Sequence, residues 1–156
     1  MPQLFGDRSD KKLLEEGADF APVFNDQGLI PCVSQHAETG AVLMLGYMND
    51  VALKKTIETG FVYYWSRSRG KLWFKGESSG MTQEITELLT NCDQSALVAK
   101  VTIGKAHAGG VQASCHTGRG DCFYRAVQTG HLPLDGPVQM QVVREKVFDP
   151  DEVYGS

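Results

Sequence analysis

Cys92, Cys115 and Cys122 fall within thirty-one residues of a chain whose only other cysteine is Cys32, and none of them belongs to a CxxC pair. A closed structural zinc site takes four protein ligands, often in two close pairs, whereas three ligands leave a position for a water that the metal can acidify. Thiolates select soft or borderline metals, and zinc fits best among the abundant ions. Cys115 and Cys122 are separated by six residues that include Gly118 and Gly120, enough flexible chain to bring both sulfurs to one ion. Cys92 must come from another element, and the fourth position is open to water, His116 or substrate. The alternative is three separate core thiols, which is also the reading for Cys32, a small hydrophobe in an apolar run.

A second cluster lies upstream. Trp65-Ser66-Arg67-Ser68-Arg69 is followed by Trp73, Lys75, Gly76, Glu77, Ser78, Ser79 and Gly80. Arginine binds phosphate as a planar fork, hydroxyls add donors, and an indole stacks on a heteroaromatic base. Between Lys54 and Lys75 six basic residues (Lys54, Lys55, Arg67, Arg69, Lys71, Lys75) face one acid, Glu58, so a chain of net charge −4 reserves a local positive patch. A small anion suits that patch; a solvated hairpin with tryptophans in the core is the plainer alternative.

The overall charge excludes bulk nucleic-acid binding, which requires a basic surface. At 156 residues, 42% hydrophobic and 22% charged, the chain reads as one globular domain over 1–156, with an N-terminal tail at 1–22 and a C-terminal extension at 130–156. No apolar leader opens the sequence and no stretch approaches the ~20 apolar residues of a membrane span. A cytoplasmic protein with no membrane contact is expected, and in a reducing compartment a cysteine cluster reads as metal-binding or catalytic.

These groups need elements to hold them. A short helix is expected over residues 11–16, and the apolar runs 29–34 and 41–48, split by Glu38-Thr39-Gly40, predict a strand hairpin. Asn49 and Asp50 cap a helix on which Val51, Ala52, Leu53 and Ile57 keep a 3.6 period and which Gly60 ends. Residues 61–65 and 71–75 predict two strands, with Arg67 and Arg69 on their connection. Two further strands, 82–89 and 96–102, flank Asn91-Cys92-Asp93-Gln94-Ser95, which places Cys92 at a turn. Residues 104–114 read as a glycine-rich loop before Cys115, and 138–143 as one more apolar alternation.

Together these motifs resemble one family. Met44-Leu45-Gly46-Tyr47-Met48-Asn49, Thr59-Gly60, Tyr63-Tyr64-Trp65-Ser66-Arg67-Ser68-Arg69, Leu72-Trp73-Phe74-Lys75-Gly76-Glu77-Ser78-Ser79-Gly80, Cys92-Asp93, Cys115-His116-Thr117-Gly118 and Cys122-Phe123-Tyr124-Arg125 closely resemble phosphoribosyl-AMP cyclohydrolase of histidine biosynthesis. The resemblance runs from about residue 29 to 127. It implies an α+β fold, mainly antiparallel sheet with few helices, in an interwoven homodimer. Zinc would sit at the interface, with Cys92 from one chain and Cys115 and Cys122 from the other. The implied reaction is hydrolysis of the N1–C6 bond of the adenine ring in 1-(5-phosphoribosyl)-AMP. His116 is the candidate general acid or base, or a group that orients a ligand. Trp65, Arg67, Arg69, Trp73, Lys75 and Glu77 are the candidate substrate-binding residues, the cations for phosphate and Glu77 for a polar contact to the ring.

The chain departs from the family at one place. The family surrounds its first cysteine with three aspartates that hold magnesium, where this chain has Asn91, Asp93 and Ser95. Two anionic ligands of a hard cation are thus replaced by neutral oxygens. Three outcomes stay open: magnesium held by Asp93 and substrate phosphate, no magnesium at all, or a paralogue acting on another purine-like or amidine heterocycle. A non-catalytic zinc-stabilised dimer that binds a nucleotide is the reading from a different class. The stretch 105–113 before Cys115 is longer than the family's usual approach.

Overall fold

A computed structural model describes residues 3–104 and 113–154. The elements run α1 (Lys11–Glu16), β1 (Ile30–His36), β2 (Val42–Met48), α2 (Asp50–Thr59), β3 (Tyr63–Ser66), β4 (Lys71–Phe74), β5 (Gln83–Thr90), β6 (Leu97–Ile103), β7 (Arg125–Val127), β8 (Met140–Val142) and α3 (Pro150–Tyr154). The expected α+β class holds.

Alternation builds the central sheet. In β6 every second residue (Leu97, Ala99, Val101, Ile103) is buried, and β1 buries Ile30, Cys32 and Ser34 on the same two-residue period. The sheet order is β2-β1-β6-β5. β1 pairs antiparallel with β2 and parallel with β6, while β5 and β6 form an antiparallel hairpin whose turn carries Cys92. The parallel pairing was not anticipated: it joins strands distant in sequence, which periodicity cannot match.

α2 closes one side of the core. Asn49 Oδ1 accepts from Ala52 N at 2.8 Å, and Gly60 ends the helix at φ 78°, a conformation that glycine adopts without a Cβ penalty. Ala52, Leu53 and Thr56 face inward. They pack in one cluster with Ile30, Cys32, Leu43, Met48, Val62, Tyr64, Met81 and the inner face of β6. Cys32 is fully buried there, and burial pushes its thiol up to about 12.

The β3–β4 hairpin packs against β2 at very short range. A Cβ on Gly46 would lie 2.5 Å from two ring carbons of Tyr64, so only glycine lets the two strands close. The N-terminal segment folds back over this body, with Phe5 packed edge-on to Phe20 and Gly6 N bonded to Phe20 O at 2.8 Å.

Beyond residue 122 the structure departs from the sequence expectation. The alternation at 138–143 becomes β8, but it pairs with β7, an element not anticipated, and both strands are exposed in the protomer. The polar end contains the short helix α3, also not anticipated, because five residues carry too little periodic signal. Most of the loop expected at 104–114 lies outside the described residues.

The Gly46 contact gives a direct check. Gly46→Ala should destabilise the protein by about 1–3 kcal/mol, the usual range for overpacking a core, read as a lower urea midpoint at unchanged slope. An unchanged midpoint would mean that the Tyr64 ring yields without strain.

Candidate active site

Three separate elements converge on the second and third cysteines. Cys122 N donates to Leu43 O of β2 at 2.7 Å, which fixes one thiol against the central sheet. Cys115 follows Ser114, whose carbonyl accepts from Lys75 Nζ at 2.9 Å and whose hydroxyl accepts from Gln83 Nε2 at 3.3 Å. Gly118 turns the chain back at φ 97°, and its missing Cβ leaves room for Phe148 O, which a methyl group would meet at 2.5 Å. Val147 N and Phe148 N both donate to Gly118 O, so the C-terminal extension straps the cysteine turn from outside. Arg144 Nε adds an ion pair with buried Asp121 at 2.8 Å.

As a result Cys115 lies beside Cys122, close enough to oppose ionisation of its thiol, with Thr117 Oγ1 3.0 Å from Cys115 Sγ. Cys122 is exposed as a residue, yet its thiol is pushed up to about 12, first by desolvation and then by Cys115 beside it. Lys75 is the nearest opposing charge. It is only 4% exposed, burial pulls its ammonium below the usual lysine range, and ionised Cys122 and Cys115 pull it back. Lys75, expected among the cations for phosphate and charge stabilisation, has its ammonium on the Ser114 carbonyl, next to Cys115.

The aromatic hairpin forms the neighbouring wall. A cleft of about 750 Å³ is lined by Trp65, Ser66, Arg67, Ser68 and Trp73, together with Tyr47 and Tyr64. Arg67 stacks 4.1 Å above the Tyr47 ring, a geometry that holds its guanidinium in place while leaving hydrogen-bond donors at its edge. Lys75 Nζ lies 5.2 Å from the centre of Trp73, so one side chain spans from the cleft wall to the cysteines. Arg69 sits exposed at the tip of the hairpin and Glu77 exposed on the turn after β4; neither lines the cleft. Tyr47 and Tyr64, which also line the cleft, were not singled out because tyrosines in strands read as ordinary sheet positions.

His116 is exposed on the turn directly after Cys115. Cys92 is exposed on the β5–β6 turn. Among the described residues no three His, Cys, Asp or Glu side chains gather around one point, so Cys92 does not join the cysteine pair within a protomer. Two adjacent thiols form half of a soft-metal site, and the residues fit zinc if a third thiol reaches them.

The flanking residues do not fit magnesium in the same way. Asn91 Oδ1 accepts from Ser95 N and Ala96 N, both at 2.9 Å, and Asn91 Nδ2 donates to Ser95 Oγ at 3.0 Å. Ser95 Oγ donates to Asp93 Oδ1 at 2.5 Å, a bond that holds the carboxyl below its usual range. Asn91 Oδ1, Ser95 Oγ and one Asp93 oxygen are thus engaged in hydrogen bonds of the turn itself, and Asp93 is the one carboxylate among the three residues.

The family-model match covers residues 44–124, a span that holds all three of these cysteines, the hairpin and the cleft, and its description is phosphoribosyl-AMP cyclohydrolase. The chain belongs to that family. A phosphoribosyl-AMP cyclohydrolase of Rhizobium leguminosarum bv. trifolii (strain WSM2304) is 46% identical over 147 residues, 94% of this chain and 92% of the relative. One of Brucella anthropi is 54% identical over 128 residues, 81% and 87% of the two chains, and one of Rhodopseudomonas palustris (strain BisB18) is 49% identical over 143, 90% of each. Membership places the chain among hydrolases acting on a cyclic amidine.

The raised Cys122 thiol has a measurable sign. A thiol attacks as thiolate, so alkylation of Cys122 by iodoacetamide in metal-stripped protein should climb about tenfold per pH unit from pH 7 to 10. A plateau below pH 10 would show that the thiol is not held up.

Proposed function

We propose that this chain opens the adenine ring of 1-(5-phosphoribosyl)-AMP by hydrolysis of the N1–C6 bond in histidine biosynthesis, using zinc held by Cys92 of one copy and Cys115 and Cys122 of a second in a homodimer. The observation that carries this reading is the adjoining of a paired-thiol half-site and an arginine- and tryptophan-lined cleft, bridged by buried Lys75. A cleft of about 750 Å³ lies within the usual range for small-molecule sites. The names of the relatives supply the substrate class.

Zinc, when bound, would lower the pKa of an adjacent water towards neutrality. The chain's own residues do the rest. Trp65 and Trp73 offer faces for the base, and Arg67, pinned on Tyr47, offers a fork to a phosphate. Arg69 at the hairpin tip extends the same positive edge outward. Buried Lys75 would balance negative charge at the thiol pair once both are ionised. His116, exposed beside Cys115, moves the proton that lets the ring nitrogen leave. Among the described residues no helix is long and apolar enough to cross a membrane.

The direct test supplies phosphoribosyl-AMP to zinc-loaded protein, with and without magnesium, and follows the ring-opening absorbance change. Turnover that needs zinc but not added magnesium is expected from the self-bonded Asn91–Ser95 turn; no turnover with zinc bound under either condition would sink the proposal. His116→Ala should keep its zinc and lose about 10²- to 10⁴-fold in kcat, the usual contribution of a positioned acid or base. Near-normal turnover would remove it from proton transfer.

Sharing of the site between copies has its own signature. Cys92→Ser and Cys115→Ser should each be inactive alone. Co-refolded in equal amounts they should regain about one quarter of wild-type activity, because half of the dimers then contain one intact site. No recovery would mean that each copy assembles its own site.

A further inference from the structure

The segment expected to be an N-terminal tail grips the Cys92 turn at two consecutive residues. Gln94 is 5% exposed and holds φ 57°, a left-handed conformation that a non-glycine residue keeps only where its surroundings fix it. Its side-chain oxygen accepts from Ala21 N at 2.7 Å, its side-chain nitrogen donates to Leu14 O at 2.9 Å, and its carbonyl accepts from Val23 N at 2.9 Å. Arg8 bridges the same two segments, donating through Nη2 to Asp93 O at 2.8 Å and through Nη1 to Ala21 O.

Cys92 itself is exposed at the end of a hairpin, where chain ends ordinarily fray. A thiolate supplied to a zinc must nevertheless lie about 2.3 Å from it in tetrahedral array. The bonds above remove that mobility: the amide of a buried glutamine and the fork of an arginine tie the residues just after Cys92 to residues 8–23.

We propose that the N-terminal arm is a positioning clamp for Cys92, acting through Gln94 and Arg8, so that the arm sets the geometry with which this thiol reaches the metal. Gln94 and Arg8 are positioning residues; neither touches substrate or metal. The inference rests on Cys92 being a ligand, as proposed above.

The test uses full-length protein with Co²⁺ as probe, reading the near-ultraviolet thiolate-to-cobalt band and the Co²⁺ dissociation constant by chelator competition. Urea stability of the metal-free protein is measured alongside. Gln94→Gly is the informative variant, since glycine tolerates the left-handed backbone and removes only the side-chain clamp. Arg8→Ala is the second, because Arg8 lies near the surface and can be removed if Gln94→Gly fails to fold. Each should weaken Co²⁺ binding at least about tenfold, as outer-shell partners of metal ligands do, and lower the thiolate band towards that of Cys92→Ser. Adding Arg8→Ala to Cys92→Ser should weaken binding no further, since both act on one ligand. Full band and affinity in the clamp variants, with Cys92→Ser reduced, would overturn the clamp and leave the ligand assignment standing. An unchanged Cys92→Ser protein would overturn the ligand assignment, and the clamp with it.

Discussion

Two thiols side by side resist ionisation, because burial strips water from a thiolate and a second thiolate would repel it. Desolvation and mutual repulsion hold the Cys122 thiol protonated, at about 12. Everything around the pair opposes that tendency or withstands it. β2 anchors one cysteine through the Leu43 carbonyl, the Lys75 and Gln83 side chains brace Ser114 before the other, and the C-terminal strap closes over Gly118. A soft dication would relieve that repulsion by taking both sulfurs as thiolates.

The β3–β4 hairpin contributes to both the core and the cleft. Tyr64 seals the core against Gly46, a contact that tolerates no side chain on β2, while Trp65 and Arg67 line the cleft. Lys75, just past the end of β4, carries the connection from cleft to cysteines. Packing precision in the core is thus transmitted directly to the positions of the substrate-facing groups.

The elements before residue 104 were legible because each carries a local signal. The Asn49 cap and Gly60 stop bounded α2, an apolar run ended by a turn marked β1, and alternation marked β6. Turn chemistry around residue 92 placed the first cysteine between strands. Locality fails for β7 and α3, too short to show a period, and for the parallel β1–β6 contact. Nor could it place the Lys75 ammonium on the Ser114 carbonyl or the Arg67 guanidinium on the Tyr47 ring.

By itself, the sequence determined the chemical inventory: three cysteines without CxxC pairing, an arginine- and tryptophan-rich hairpin, the family these motifs resemble, and the exchange of two expected carboxylates for Asn91 and Ser95. Residue identity is a local property, and so is the donor chemistry it dictates. Only the tertiary structure decided that Cys115 and Cys122 meet while Cys92 stands apart, that Asn91 and Ser95 bond to each other, and that residues 8–23 close over the Cys92 turn. Those facts depend on distances between segments up to 85 positions apart in the chain. Such distances are set by how the sheet pairs and the core packs, which no local pattern encodes.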